Sequence, residues 1–136
     1  MISKVQWTGK GYSFIAENDR KQAVVMDTKN GVAPTPMELL LFAVMGCSGI
    51  DIISIIEKKR EKLEHFEAEV LETERAEEHP RVYTRIKIVF RISGEIKPQS
   101  ARRAVELSMD KYCSVNAVLS KTAKVEYEIH LNGEPV

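Results

Sequence analysis

Thr35-Pro36-Met37-Glu38-Leu39-Leu40-Leu41-Phe42-Ala43-Val44-Met45-Gly46-Cys47-Ser48-Gly49-Ile50-Asp51-Ile52-Ile53-Ser54-Ile55-Ile56 is the stretch that decides how this chain folds. It opens with a helix start: Thr35 can cap, Pro36 suits the first helical position, and Glu38 stands where a capping-box carboxylate reaches back. The pattern predicts a helix from Pro36 to about Lys62. Between Leu39 and Ile56 it is apolar nearly all round, which predicts burial on every side rather than along one stripe. Gly46-Cys47-Ser48-Gly49 and Asp51 interrupt the apolar run, so the segment reads as a buried helix and falls short of a membrane span.

On its N-terminal side, Lys4 to Thr8, Tyr12 to Ala16 and Gln22 to Asp27 are β-prone and separated by turn compositions, as in an antiparallel meander. On its C-terminal side, Phe66, Ala68 and Val70, then Val82, Thr84, Ile86, Ile88, Phe90 and Ile92, alternate with polar neighbours, as in strands with one buried face. Arg75 to Arg81 reads as a long hairpin connection. Pro98 opens a second helix that buries Ala101, Ala104, Val105, Ser108 and Tyr112 and turns Arg102, Arg103, Glu106 and Lys111 to water. A short helix from about Ser114 to Ser120 and a strand from Lys124 to Leu131 follow. The order is βββ-α-ββ-α-α-β, an α+β arrangement. A single sheet cannot cover a helix that is apolar on all sides, so a second copy of the chain is the expected partner, with Gly46 and Gly49 allowing close backbone approach.

At 136 residues the chain is expected to form one domain, residues 1–136. Its 20 basic and 20 acidic side chains give a net charge of +0, leaving no excess field for nucleic acid or anionic membrane. The opening Met1-Ile2-Ser3-Lys4-Val5-Gln6-Trp7 lacks the features of a secretory signal, which suggests a cytoplasmic protein. Two cysteines lie with 65 residues between them, outside any C-x-x-C pair and away from histidine at ligand spacing, which argues against zinc. In a reducing compartment such thiols serve either as inert packing or in redox chemistry.

Cys47 lies within the apolar helix, where a free cysteine is more often a small hydrophobe than a reagent. Cys113 lies between two helices, beside Lys111 and at a helix N-terminus, where a thiol has reasons to ionise, and its setting looks exposed. Glu38 is nearly explained by the capping box. Arg20, the only arginine before Arg60, reads as a turn charge. His65, His79 and His130 have no nucleophile at a telling spacing. Glu67, Glu69, Glu72 and Glu74 read as a solvated strand face.

Pro34-Thr35-Pro36-Met37-Glu38-Leu39-Leu40 with Met45-Gly46-Cys47-Ser48, followed by Lys111-Tyr112-Cys113-Ser114-Val115, resembles the two cysteine motifs of the OsmC/Ohr family. The likeness is greatest to its OsmC-like subgroup and covers essentially the whole chain. It implies an intertwined homodimer, two central helices wrapped by sheets with strands from both subunits. It also implies reduction of organic hydroperoxides, with Cys47 as the peroxidatic thiolate that becomes a sulfenic acid and Cys113 as the resolving thiol. An external dithiol, for example of lipoyl type, would regenerate the pair, and no metal or prosthetic group is implied. In the family's peroxidases an arginine and a glutamate polarise the thiolate. Here Met37 occupies the glutamate's position and the carboxylate falls on Glu38, about 100° further round a helix; Arg20 is the stand-in for the arginine. This departure keeps a second reading open: a non-peroxidatic protein that binds a small apolar or electrophilic molecule in the dimer cleft, or a redox sensor.

Overall fold

The computed structural model describes residues 2–136; Met1, the first residue of the expected domain, lies outside the described residues. The elements are β1 (Ser3–Trp7), β2 (Phe14–Asn18), β3 (Ala23–Met26), α1 (Pro36–Lys58), β4 (Lys62–Arg75), β5 (Tyr83–Glu95), α2 (Pro98–Leu107), a π-helical turn (Ser108–Tyr112), α3 (Ser114–Leu119), β6 (Lys124–Leu131) and β7 (Glu134–Pro135). The fold class is α+β with the strands in two sheets, as expected; the sheets, expected to be antiparallel, include one parallel pair, β5 with β6, because α2 and α3 carry the chain back across before β6 begins. The chain divides into two compact units, with the boundary at Phe42 and Ala43 inside α1.

In the N-terminal unit β1, β2 and β3 form the antiparallel meander. The pairing of Val5 with Ala16 and of Ala16 with Val24 places Val5, Trp7, Phe14, Ala16, Val24 and Met26 on one face. That face is open: Val5 and Trp7 are each 57% exposed and Val24 is 52% exposed. The loop after β3 is organised by the buried Asp27, whose carboxylate accepts the backbone N–H groups of Thr28 at 2.6 Å and Val32 at 3.1 Å. These bonds, that from Thr28 foremost, hold its pKa below the usual carboxylate value. Only glycine fits at Gly31, because a Cβ there would overlap the Asp27 carboxylate. At the start of α1 the capping box forms as expected: Glu38 N–H donates to Thr35 Oγ1 at 3.1 Å, and Thr35 N–H donates to the Glu38 carboxylate at 3.0 Å.

The C-terminal unit contains the core. β4 and β5 form a long antiparallel hairpin, β6 runs parallel to β5, and β7 folds back on β6. From Ile86 onward alternation sorts the faces as the sequence predicts, except that Val89 is buried too; at the start of β5 Tyr83 is buried and Thr84 exposed, the reverse of the expectation. Phe66, Ala68, Val70, Ile88, Phe90 and Ile92 share one face, where the Phe90 ring lies between Phe66 and Tyr127, at centroid distances of 6.3 and 6.1 Å. The other face carries ion pairs: Arg85 with Glu72 and Glu126, Arg91 with Glu67 and Glu69, and Lys87 with Glu128. The acidic residues of β4 therefore form a solvated face, as expected. Ile52, Ile56, Ile86, Ile88, Phe90, Ala101, Ala104 and Val105 are buried, each large one worth about 1.5–3 kcal/mol.

Five expectations need correction. The helix ends at Lys58, because Arg60 adopts a left-handed conformation (φ 59°), Arg60 N–H bonds to Glu57 O at 2.9 Å and Glu61 N–H to Ile56 O at 3.4 Å, a Schellman stop made without glycine. Lys62, expected as its last residue, begins β4. Within one chain α1 buries a stripe of Val44, Ser48, Gly49, Ile52 and Ile56, while Leu40, Phe42 and Ile50 are exposed. Gly49 makes room for a side chain of its own chain, since a Cβ there would stand 3.0 Å from the Phe66 ring, whereas Gly46 faces open space. By length and hydropathy (2.3 across its most apolar window) α1 could cross a bilayer, contrary to expectation; its buried stripe is spent on the sheet. Finally, Tyr112 is exposed, because the π-helical turn adds a residue and rotates it off the buried stripe.

Candidate active site

Two elements of the C-terminal unit bring the thiols together. Cys47 sits half-buried in mid-α1, with the buried Ser48 beside it donating its hydroxyl to Val44 O at 2.7 Å. Cys113 arrives from the far end of α2. There the helix loosens into the π turn, closed by Cys113 N–H bonding to Ser108 O at 2.7 Å, and Cys113 then turns extended and caps α3. Its sulfur accepts the Asn116 N–H at 3.3 Å. Asn116 is itself pinned, its side-chain amide donating to Met109 O at 2.9 Å. Both cysteines are free thiols.

The sulfurs of Cys47 and Cys113 and a carboxylate oxygen of Asp51 all lie within 4.8 Å of one another. Asp51 is one turn after Cys47 on α1, and Ser108 Oγ donates to its carboxylate at 2.9 Å. Ser108 is fully buried, so the bond fixes the carboxylate from the side away from solvent. This trio is a grouping of potential metal-ligating atoms that sequence spacing hid, since its members come from two elements far apart in the chain. The Cys113 thiol donates to Val44 O at 4.0 Å, and the Asp51 carboxylate, held by Ser108, stands beside the two sulfurs.

The setting of Cys113 reverses the expectation of an exposed, readily ionised thiol. It is 3% exposed, and burial pushes its pKa from an ordinary 9.0 up to about 11. The Asn116 N–H pulls the other way, as a helix N-terminus should, but does not outweigh desolvation, the contact with the Cys47 thiol and the Asp51 charge. Lys111 does not compensate, because its ammonium lies over the Tyr112 ring, 5.3 Å from the centroid. Cys47 is the more accessible of the two. A recess of about 610 Å³ adjoins Asp51, lined by Ile50, Ser54, Ile55, Lys58, Lys59, Leu107 and Tyr112.

The other two residues named from sequence are engaged locally. The Glu38 carboxylate is held in the capping box, and the bond from Thr35 N–H keeps its pKa below the usual range. The exposed Arg20 guanidinium sits in the turn between β2 and β3, 3.2 Å from Gln22 Oε1 and 3.5 Å from Asp19. Sequence reading missed Asp51, Ser108 and Asn116 as site residues. Asp51 carries a visible signal, a carboxylate one turn from a cysteine in an otherwise apolar helix. Asn116 had none, because its role depends on the π turn.

The chain is thus an α+β protein that brings two free thiols together, one from a central helix and one from a helix N-cap. The pattern of the family described as OsmC-like protein matches residues 28–128, and the chain belongs to that family. It is 39% identical over 133 residues to Protein YhfA of Escherichia coli K12, covering 95% of this chain and 98% of that protein. It is similar in structure to a hypothetical protein from Aquifex aeolicus VF5, with a TM-score of 0.80, 27% identity and 96% of each chain covered. It also shares its fold with an organic hydroperoxide resistance protein from Elizabethkingia anophelis, with a TM-score of 0.70, 13% identity, and 96% of this chain and 94% of that one covered.

Proposed function

We propose that this protein reduces organic hydroperoxides with Cys47 as the attacking thiolate and Cys113 as the resolving thiol. The observation that carries the reading is the approach of the two sulfurs to within 4.8 Å from positions 47 and 113. Cys47 attacks the distal peroxide oxygen, the O–O bond breaks, an alcohol leaves, and Cys47 becomes a sulfenic acid. Cys113 then displaces water to form a disulfide, which an external dithiol, for example of lipoyl type, reduces. Burial suits Cys113 to the second role, because a thiol that keeps its proton stays in reserve until a sulfenic acid forms beside it. The apolar wall of the recess, Ile50, Ile55 and Leu107, suits the carbon portion of such a peroxide. Membership of a family with hydroperoxide resistance proteins among its structural neighbours supports the same chemistry.

The working unit in this proposal is a cytoplasmic homodimer. Exposed Leu40, Phe42 and Ile50 on α1, and separately the open apolar face of β1–β3, are the surfaces a second copy would cover. The test is consumption of cumene hydroperoxide and hydrogen peroxide with a dithiol, beside Cys47→Ser and Cys113→Ser. The expected result is turnover of the organic peroxide that vanishes in Cys47→Ser. One background rate for all three proteins would overturn the peroxidase. The recess and the high pKa of Cys113 would then favour a binder of a small apolar or electrophilic molecule in the dimer cleft, or a redox sensor.

A further inference from the structure

We propose that Asp51 is the base that takes the proton from Cys113 when Cys113 attacks Cys47. This deepens the reading above and rests on its assignment of Cys113 as the resolving thiol. A buried thiol is a poor nucleophile until it loses its proton, and in apolar surroundings that loss is costly unless a neighbouring base takes the proton as the sulfur attacks, leaving no pair of anions side by side. Asp51 is the carboxylate that meets both sulfurs within 4.8 Å. It reaches them because it lies four residues after Cys47, on the same face of α1. Its position is set by the hydrogen bond from Ser108 Oγ, whose residue also supplies the carbonyl that closes the π turn onto Cys113 N–H. One residue thus fixes the base and the start of the cysteine cap together. The Glu38 and Arg20 side chains named from sequence are occupied in a capping box and a turn, while Asp51 is beside the sulfurs.

The step balances as follows. The Cys113 proton passes to the Asp51 carboxylate, and the Cys113 sulfur bonds to the Cys47 sulfur of the sulfenic acid. The Cys47 S–O bond breaks, and the departing hydroxide takes the proton from Asp51 and leaves as water. The Cys113 sulfur is oxidised, the sulfenic sulfur of Cys47 is reduced to the disulfide level, and Asp51 is regenerated. In reduction the dithiol supplies both protons, one passing by way of Asp51 to Cys113 and the other going to Cys47, as the dithiol becomes a disulfide. The titratable groups around this exchange are Cys47 and Asp51 on α1, with Lys58, Lys59 and Tyr112 lining the adjoining recess.

A test that needs no peroxide separates this inference from the peroxidase itself. The reduced protein is mixed with an aromatic disulfide such as dithiobis-nitrobenzoate and the coloured thiolate is followed from pH 6 to 10. The more accessible Cys47 releases the first equivalent, and attack by Cys113 on the mixed disulfide releases the second. Cys113→Ser identifies the first phase by abolishing the second. In Asp51→Asn the rate of the second phase relative to the first falls about a hundredfold near pH 7, and the difference narrows as pH rises and Cys113 ionises unaided. Asp51→Glu recovers much of the rate, and a cooperative urea transition like that of wild type shows that each variant is folded. Equal second phases in wild type and Asp51→Asn across the pH range would overturn the proposal, as would a wild type that never releases a second equivalent. A protein that closes its disulfide in this assay yet ignores hydroperoxides would sink the peroxidase and leave Asp51's role standing.

Discussion

At the scale of single residues, the chemistry turns on how differently two identical thiols are housed. Cys47 is half-buried on a helix, whereas Cys113 is 3% exposed with its pKa pushed to about 11. Alkylation of the reduced protein with iodoacetamide at pH 8 should therefore modify Cys47 first, with Cys113 reacting on unfolding; peptide mass mapping reads the order. The raised pKa also carries a stability signature. A thiol whose proton is held more tightly in the folded state stabilises the fold while it remains protonated, fully below about pH 9, and loses that contribution as pH climbs towards about 11. The stability gap between wild type and Cys113→Ala, measured by urea denaturation, should shrink over that interval, and a gap constant with pH would mean that Cys113 is not held neutral by the fold. The cysteines were legible from their motifs. The burial of Cys113 was not, because it follows from how α2 loosens and α3 begins, and helical spacing alone placed Tyr112 inside.

At the scale of elements, the strand alternation of β5, the cap of α1 and the limits of β6 were written in local sequence, where period and capping chemistry suffice. The end of α1 was not, since its stop relies on Arg60 in a conformation that favours glycine. Arg60→Gly should accordingly stabilise the protein by up to about 1 kcal/mol, seen as a higher melting temperature. β7 was missed although Asn132 (φ 50°) and Gly133 (φ 84°) form the Asn-Gly turn that announces a hairpin. Gly49 shows how an element can be read correctly for the wrong reason: the small residue was expected to admit another backbone, and it admits Phe66. Gly49→Val would drive a branched side chain into that ring and should cost about 1–3 kcal/mol in thermal or chemical denaturation.

At the scale of the whole molecule, the α+β class and the family follow from the sequence, and the homodimer is a proposal drawn from surfaces one chain leaves open. Ile50 is 72% exposed in the single chain, so Ile50→Arg should perturb an isolated fold little while introducing a charge into the proposed interface. Light scattering is expected to give a dimer for wild type and a monomer for Ile50→Arg; a monomeric wild type would contradict the assembly. The account as a whole stands on the two sulfurs acting as one redox unit towards a hydroperoxide. Its most direct test is mass spectrometry of the reduced protein after a single equivalent of cumene hydroperoxide. The account predicts a protein lighter by two hydrogen masses, with the Cys47 and Cys113 peptides joined by a disulfide; an unchanged mass with both thiols still free would contradict it.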